Sequence, residues 1–200
     1  MLSAVGQALA LEGAFMGESL SIGRLGMSGI DYDAVSYLDS IGLTGEQHRA
    51  WTKCADDIAL IDCLNIASVG LFMDHVATLD GFADSSAAIE KSRFVQLPWW
   101  ESSIWLPVAF APPTLLDDGS PLFLGSCQAL LAELEDVKSL SSWGLGQTPP
   151  GYDLMRADIK AFYRSDFKLN DDEPTIAQWI WKALYDGAEI AIRNSAPLSL

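Results

Sequence analysis

Apolar and polar positions divide the chain into a helical first part, an extended middle and a helical end. In the middle, residues 93–97 and 104–110 are short apolar runs bounded by turn formers, the pattern of strands. Pro107 interrupts the second run, which predicts an edge strand or a bulge there. Asp117-Asp118-Gly119-Ser120 reads as a tight turn, and an apolar run resumes over 121–124. The expected unit is a hairpin, 104–110 outward and 121–124 back, with Pro112-Pro113 keeping the first arm extended near its turn. Ser126 then caps a helix whose Leu130, Leu131, Leu134 and Val137 recur at i, i+4 and i+7 and make one buried stripe.

Upstream, residues 17–30 are spaced with glycine and predict a loop or a weak strand pair. Asp31 is placed to cap a short helix over 32–40. Thr44 and Gln47 match a capping box and open the longest predicted helix, 44–79, with a break near 56–58 or near Gly70. Ile58, Ile61, Leu64, Leu71, Phe72, Val76 and Leu79 give that helix so broad an apolar face that a central position is expected for it. A polar connector over 80–92 holds a helical turn around 87–91, and glycines and prolines make 141–151 a loop. Two helices close the chain. One covers 152–162, with Leu154, Met155, Ile159 and Phe162 inward. The other opens at Glu173-Pro174, with Ile176, Trp179, Ile180, Ala183, Leu184, Ala188 and Ile192 on its apolar face and Arg193 in its last turn. The expected fold is α+β: a mainly helical single domain over 1–200, helical at 31–80, a small antiparallel sheet at 93–125, helical again at 126–195. The alternative is an all-α domain with an irregular middle.

Charge narrows the choice of partner. The net charge is −15, from 27 acidic and 12 basic residues. That field repels phosphates, so neither nucleic acid nor an anionic membrane is an expected partner, whereas a basic protein is attracted and steered. The same charge also fits solubility alone. Cys54, Cys63 and Cys127 are odd in number and form no CxxC, which points to a reducing compartment and hence to the cytoplasm. The apolar N-terminus has no basic residue before Glu12, so it reads as part of the domain rather than a secretion signal. The longest apolar stretch, 58–79, is broken by Asp62, Asn65, Asp74 and His75 and is not a membrane span.

Catalytic patterns are missing. His48, His75 and the three cysteines fall in no HExxH or CxxC arrangement, so no metal and no cofactor is expected. There is no GxSxG. Cys127 stands at a helix N-terminus, where thiols are activated, yet its apolar neighbours favour a buried structural role. The tryptophans carry more. Trp99, Trp100 and Trp105 fall within seven residues, and adjacent Trp99 and Trp100 point to opposite sides of an extended segment. One of that pair is expected at a protein-binding surface, together with the acidic turn Asp117-Asp118. Trp181 lies about 200° around its helix from Trp179, and so either packs under another segment or faces a partner.

The run LGSCQALLAELEDV at 124–137, followed by a loop and terminal helices, resembles small acidic bacterial immunity proteins. These neutralise a cognate toxin, often one delivered by contact-dependent or type VI secretion. The resemblance implies a non-enzymatic cytoplasmic inhibitor that binds and occludes a basic toxin domain, while the tryptophans and the acidic turn put the candidate partner contacts at Trp99, Trp100, Asp117, Asp118 and Trp181. It transfers no functional residue. Two other readings stay open: an enzyme using His48 or His75 with a carboxylate, and an adaptor or chaperone for a secreted effector.

Overall fold

The structure, a computed structural model, describes residues 20–22, 59–61, 66–99, 103–109, 113–116, 122–141, 143, 148, 152–153 and 173–200. In chain order these give β1 (Leu20–Ile22), β2 (Ala59–Ile61), α1 (Ile66–Leu79), α2 (Ser85–Ala88), β3 (Ser103–Leu106), β4 (Thr114–Leu116), β5 (Leu122–Ser126), α3 (Cys127–Leu140), α4 (Glu173–Asn194) and β6 (Leu198–Ser199). The strands form one mixed sheet in the order β2-β1-β6-β3-β5-β4. β6 is antiparallel to both neighbours, pairing Ile22 with Leu198 and Leu198 with Trp105.

Local chemistry explains the helices that border this sheet. Ser126 is extended (φ −109°, ψ 128°), and its hydroxyl accepts from the Ala129 N–H, so β5 passes into α3 without a loop. Leu130, Leu134 and Val137 on α3 are buried as their spacing predicts. α4 is buried over a broad face, while Glu189, Arg193 and Asn194 are exposed. Ala177, Ala183, Ala188 and Ala191 allow close approach on some sides, while Trp179, Ile180, Trp181 and Leu184 fill the rest. It packs against α1 and α3 as well as β1, β2 and β6.

The α+β class therefore holds, with several corrections to its parts. The sheet is mixed rather than antiparallel, and it recruits 20–22, 59–61 and 198–199 from outside the expected middle region. β3 and β5 run parallel, with Ile104 opposite Leu124 and Trp105 opposite Gly125. The hairpin is instead β4 with β5, Leu115 facing Phe123. The physical reason lies in the prolines. Pro107 ends β3 after Leu106, and the chain then passes beyond β5 before Thr114 begins the edge strand; β5 returns into the gap. Residues 59–61 are a strand rather than a helical segment, so the described part of the long predicted helix begins at Ile66. The central position belongs to α4. Residues 93–97 form no strand; their polar groups bond to side chains, as described below. The expected helix at 32–40, the start of the helix at 44 and most of the helix at 152–162 lie outside the described residues. Among the described residues, no helix is long and apolar enough to cross a membrane.

Candidate functional site

The segment 92–99 is an irregular strap laid over the junction of β3, β5 and α3. Few of its groups are satisfied by regular ladders, so side chains meet them instead. At its entry the Asp80 carboxylate, just past α1, accepts from Ser92 Oγ and the Arg93 N–H, both at 2.9 Å, and pairs with Arg93 Nε at 3.2 Å. At its middle the Gln96 N–H donates to Glu133 Oε2 on α3 at 2.8 Å. The Gln96 carbonyl accepts from Trp105 Nε1 at 2.6 Å, and its side-chain Oε1 accepts from the Ser126 N–H at 2.9 Å. At its exit Trp99 Nε1 donates back to the Phe94 carbonyl at 2.6 Å. Gln96 is thus a buried polar residue with several partners, and the strap is held in one shape.

Held this way, the strap builds one wall of a groove of about 170 Å³ against the edge of the sheet. Its lining includes Val95 and Trp99 from the strap, Leu115 and Phe123 from the β4–β5 hairpin, and Glu90 and Ser92 from the turn after α2. Val95 and Leu115 are 45% and 39% exposed, and Trp99 is half-buried, so the apolar wall meets solvent. Among the described residues that line it, Glu90 is the charged one, with no Lys or Arg beside it. The groove offers apolar contact area and a carboxylate, the materials of a protein-docking site.

Behind the strap, burial pushes the Glu133 carboxyl up to about 7, against the opposing pull of the N–H groups of Gln96, Val95 and Leu97, and neighbouring Asp136 adds to the rise. Its oxygens point at backbone N–H groups rather than into the groove, so it acts as a brace.

The other residues singled out by sequence fall elsewhere. Trp105 is fully buried. Trp181 is 5% exposed; its Nε1 donates to the Leu134 carbonyl at 2.7 Å, and its ring meets Trp143 edge-on and lies against Tyr185. Of the two roles open to Trp181, the structure places it in packing, between α3 and α4, where a docked partner does not reach it. His75 is half-buried with its ring stacked on Trp143 at 5.1 Å and Nε2 2.8 Å from Ser141 Oγ. Burial lowers its pKa and favours the neutral imidazole. The adjacent Asp74 carboxylate accepts from the Ser85 N–H and does not orient that ring. Ser141 also follows the C-terminal end of α3, where the helix carbonyls oppose a developing alkoxide. Cys127 has no exposed surface; its Sγ donates to the Trp105 carbonyl at 3.3 Å, and burial pushes the thiol up to about 12. Burial thus disfavours the thiolate there. Trp100, Asp117, Asp118, His48, Cys54 and Cys63 lie outside the described residues.

The structure brings Trp99 together with Val95, Leu115 and Glu90, which sequence reading did not select. Val95 had a weak signal as part of a short apolar run; Glu90 had none. Compared with family models, curated proteins and solved structures, the chain matches none, so the site rests on its own geometry.

Proposed function

We propose that this chain is a non-enzymatic binding protein of the toxin-immunity kind, and that it docks a basic partner domain on the groove between the strap and the β4–β5 hairpin. The observation that carries the reading is the exposure of Val95 and Leu115 in the same groove as half-buried Trp99, in a chain of net charge −15. Isolated exposed aliphatics are common, but here two of them line one groove together with a half-buried tryptophan, the residue type most enriched at binding hot spots. The surrounding negative field attracts a basic domain and raises its association rate.

The test is capture from the native host with two baits, the wild-type chain and a Val95→Asp/Leu115→Asp variant. Both side chains are exposed, so the variant should keep its fold, checked by thermal melting. The expected result is a basic protein retained by wild type and lost by the variant, with retention weakening as salt rises. Equal retention by both baits overturns the groove as the docking site. Co-expression of the retained protein then decides the immunity role: growth arrest relieved by the wild-type chain supports it, and unrelieved arrest, or none, overturns it.

A further inference from the structure

Glu90 sits in a backbone conformation that its residue type disfavours. Residues 88–91 form a hydrogen-bonded turn in which the Lys91 N–H donates to the Ala88 carbonyl at 2.9 Å. Ile89 has φ −49° and ψ 134°, and Glu90 has φ 66°. Those angles define a type II turn with Glu90 at its third position, where positive φ makes glycine the easy choice. A long side chain there is strained, and strain persists only when surrounding structure imposes it. Here both flanks are fixed. Asp84 accepts from the Ala87 N–H and caps α2, and the Ser85 N–H donates to Asp74. On the other side, Ser92 and Arg93 are held by Asp80.

The strained residue is also the one acidic residue among the described residues that line the groove. Among the described residues it makes no ion pair, and it is exposed. A glycine would relieve the turn but would leave the groove without its charge. We infer that Glu90 is a specificity residue of the groove, selecting a partner segment that sets an aliphatic or aromatic side chain beside a lysine or arginine. The apolar side chain enters between Val95, Trp99 and Leu115, and the cation meets the Glu90 carboxylate at the rim. This rests on the docking reading above and adds the local chemistry of what is docked.

The test uses three proteins, wild type, Glu90→Gln and Glu90→Gly, and two capped peptides of alternating sequence, one of Lys and Leu and one of Glu and Leu. Binding is followed by NMR at the Val95 and Leu115 methyls and the Trp99 indole N–H. The Lys-Leu peptide should shift these signals in wild type and bind at least about threefold more weakly to both variants, the scale of one rim ion pair. Glu90→Gly should at the same time melt about 2 to 4 °C higher, because the positive φ no longer carries a Cβ. Gain in stability with loss of binding separates recognition from a structural role. Equal affinity in all three proteins overturns the inference while leaving the docking reading intact. Equal binding of the Glu-Leu peptide, or no shift at the groove, also overturns it. Failure of the docking reading itself appears separately, as capture that ignores Val95→Asp/Leu115→Asp.

Discussion

The strap at 92–99 and the α3–α4 helix pair bury comparable aromatic side chains but satisfy their backbones in opposite ways. In α3 and α4 the main chain bonds to itself, and Trp181 adds a bond to the Leu134 carbonyl, a group already inside a helix. In the strap, Trp105, Glu133, Asp80 and the Gln96 amide supply bonds that no ladder provides. Helical backbone tolerates loss of a neighbouring side chain, because its own ladder remains. Strap backbone does not: removing one side chain leaves a buried polar group unmet. The wall of the groove is thus built from the part of the molecule that depends most on individual residues.

The sharpest test of that contrast is Trp105→Ala beside Trp181→Ala. Each should cost about 3 to 5 kcal/mol from lost burial. Trp105→Ala should lie at the upper end, since the Gln96 carbonyl loses its donor, and it should also speed amide exchange across 92–99. Denaturant melts and exchange rates measure both. If Trp181→Ala loosens the strap equally, the two regions are not energetically distinct.

Next comes Gly125, where an added Cβ would lie 2.6 Å from Trp105 Cδ1, 2.7 Å from Gln96 Oε1 and 2.8 Å from Phe123 Cε1. Gly125→Ala should cost about 1 to 3 kcal/mol or more by displacing the strap's anchors. A neutral result in the same melts would mean that the junction has room to give.

Glu133 sharpens the comparison through pH. Its carboxyl lies at about 7 when folded, above the ordinary 4.5. The stabilisation linked to this raised value is present below the ordinary pKa and is lost as pH rises through the folded one. Wild type should therefore lose roughly 2 kcal/mol relative to Glu133→Gln between about pH 5 and about pH 8. Parallel stability curves for the two proteins would mean that burial does not raise this carboxyl.

The smallest expected effect is at Cys127. With the thiol buried at about 12, maleimide should leave this residue unmodified in folded protein at neutral pH, and mass mapping reads the outcome. Rapid labelling at Cys127 would show that the β5–α3 junction opens far more often than its packing indicates.

What was legible in the sequence was local. The Ser126 cap, the stripe Leu130, Leu134 and Val137, and the opening of α4 at Glu173 depend on neighbours within a turn or two, and each lies where spacing placed it. Parallel pairing of β3 with β5 depends on distant residues, and strands of two or three residues such as β6 and β1 are too short to carry a period. The strap read as a strand because its apolar run is bounded by turn formers, and burial does alternate from Ser92 to Gln96, with Arg93 and Val95 exposed, before Leu97 and Pro98 break the period. For the groove, surplus tryptophan pointed to Trp99, while the exposure of Val95 and Leu115 and the positive φ of Glu90 arise only when the strap, the hairpin and the turn meet.

β6 joins the two halves of the sheet. Leu198 pairs with Ile22 on one side and Trp105 on the other, and Leu200 and Ser103 exchange backbone bonds at 2.9 and 3.3 Å. During synthesis, then, β1–β2 and β3–β4–β5 emerge as two separate fragments, each with an unfilled edge. They become a single sheet only once 198–199 are available to pair with both, so this sheet closes on its last strand rather than growing from the N-terminus onward.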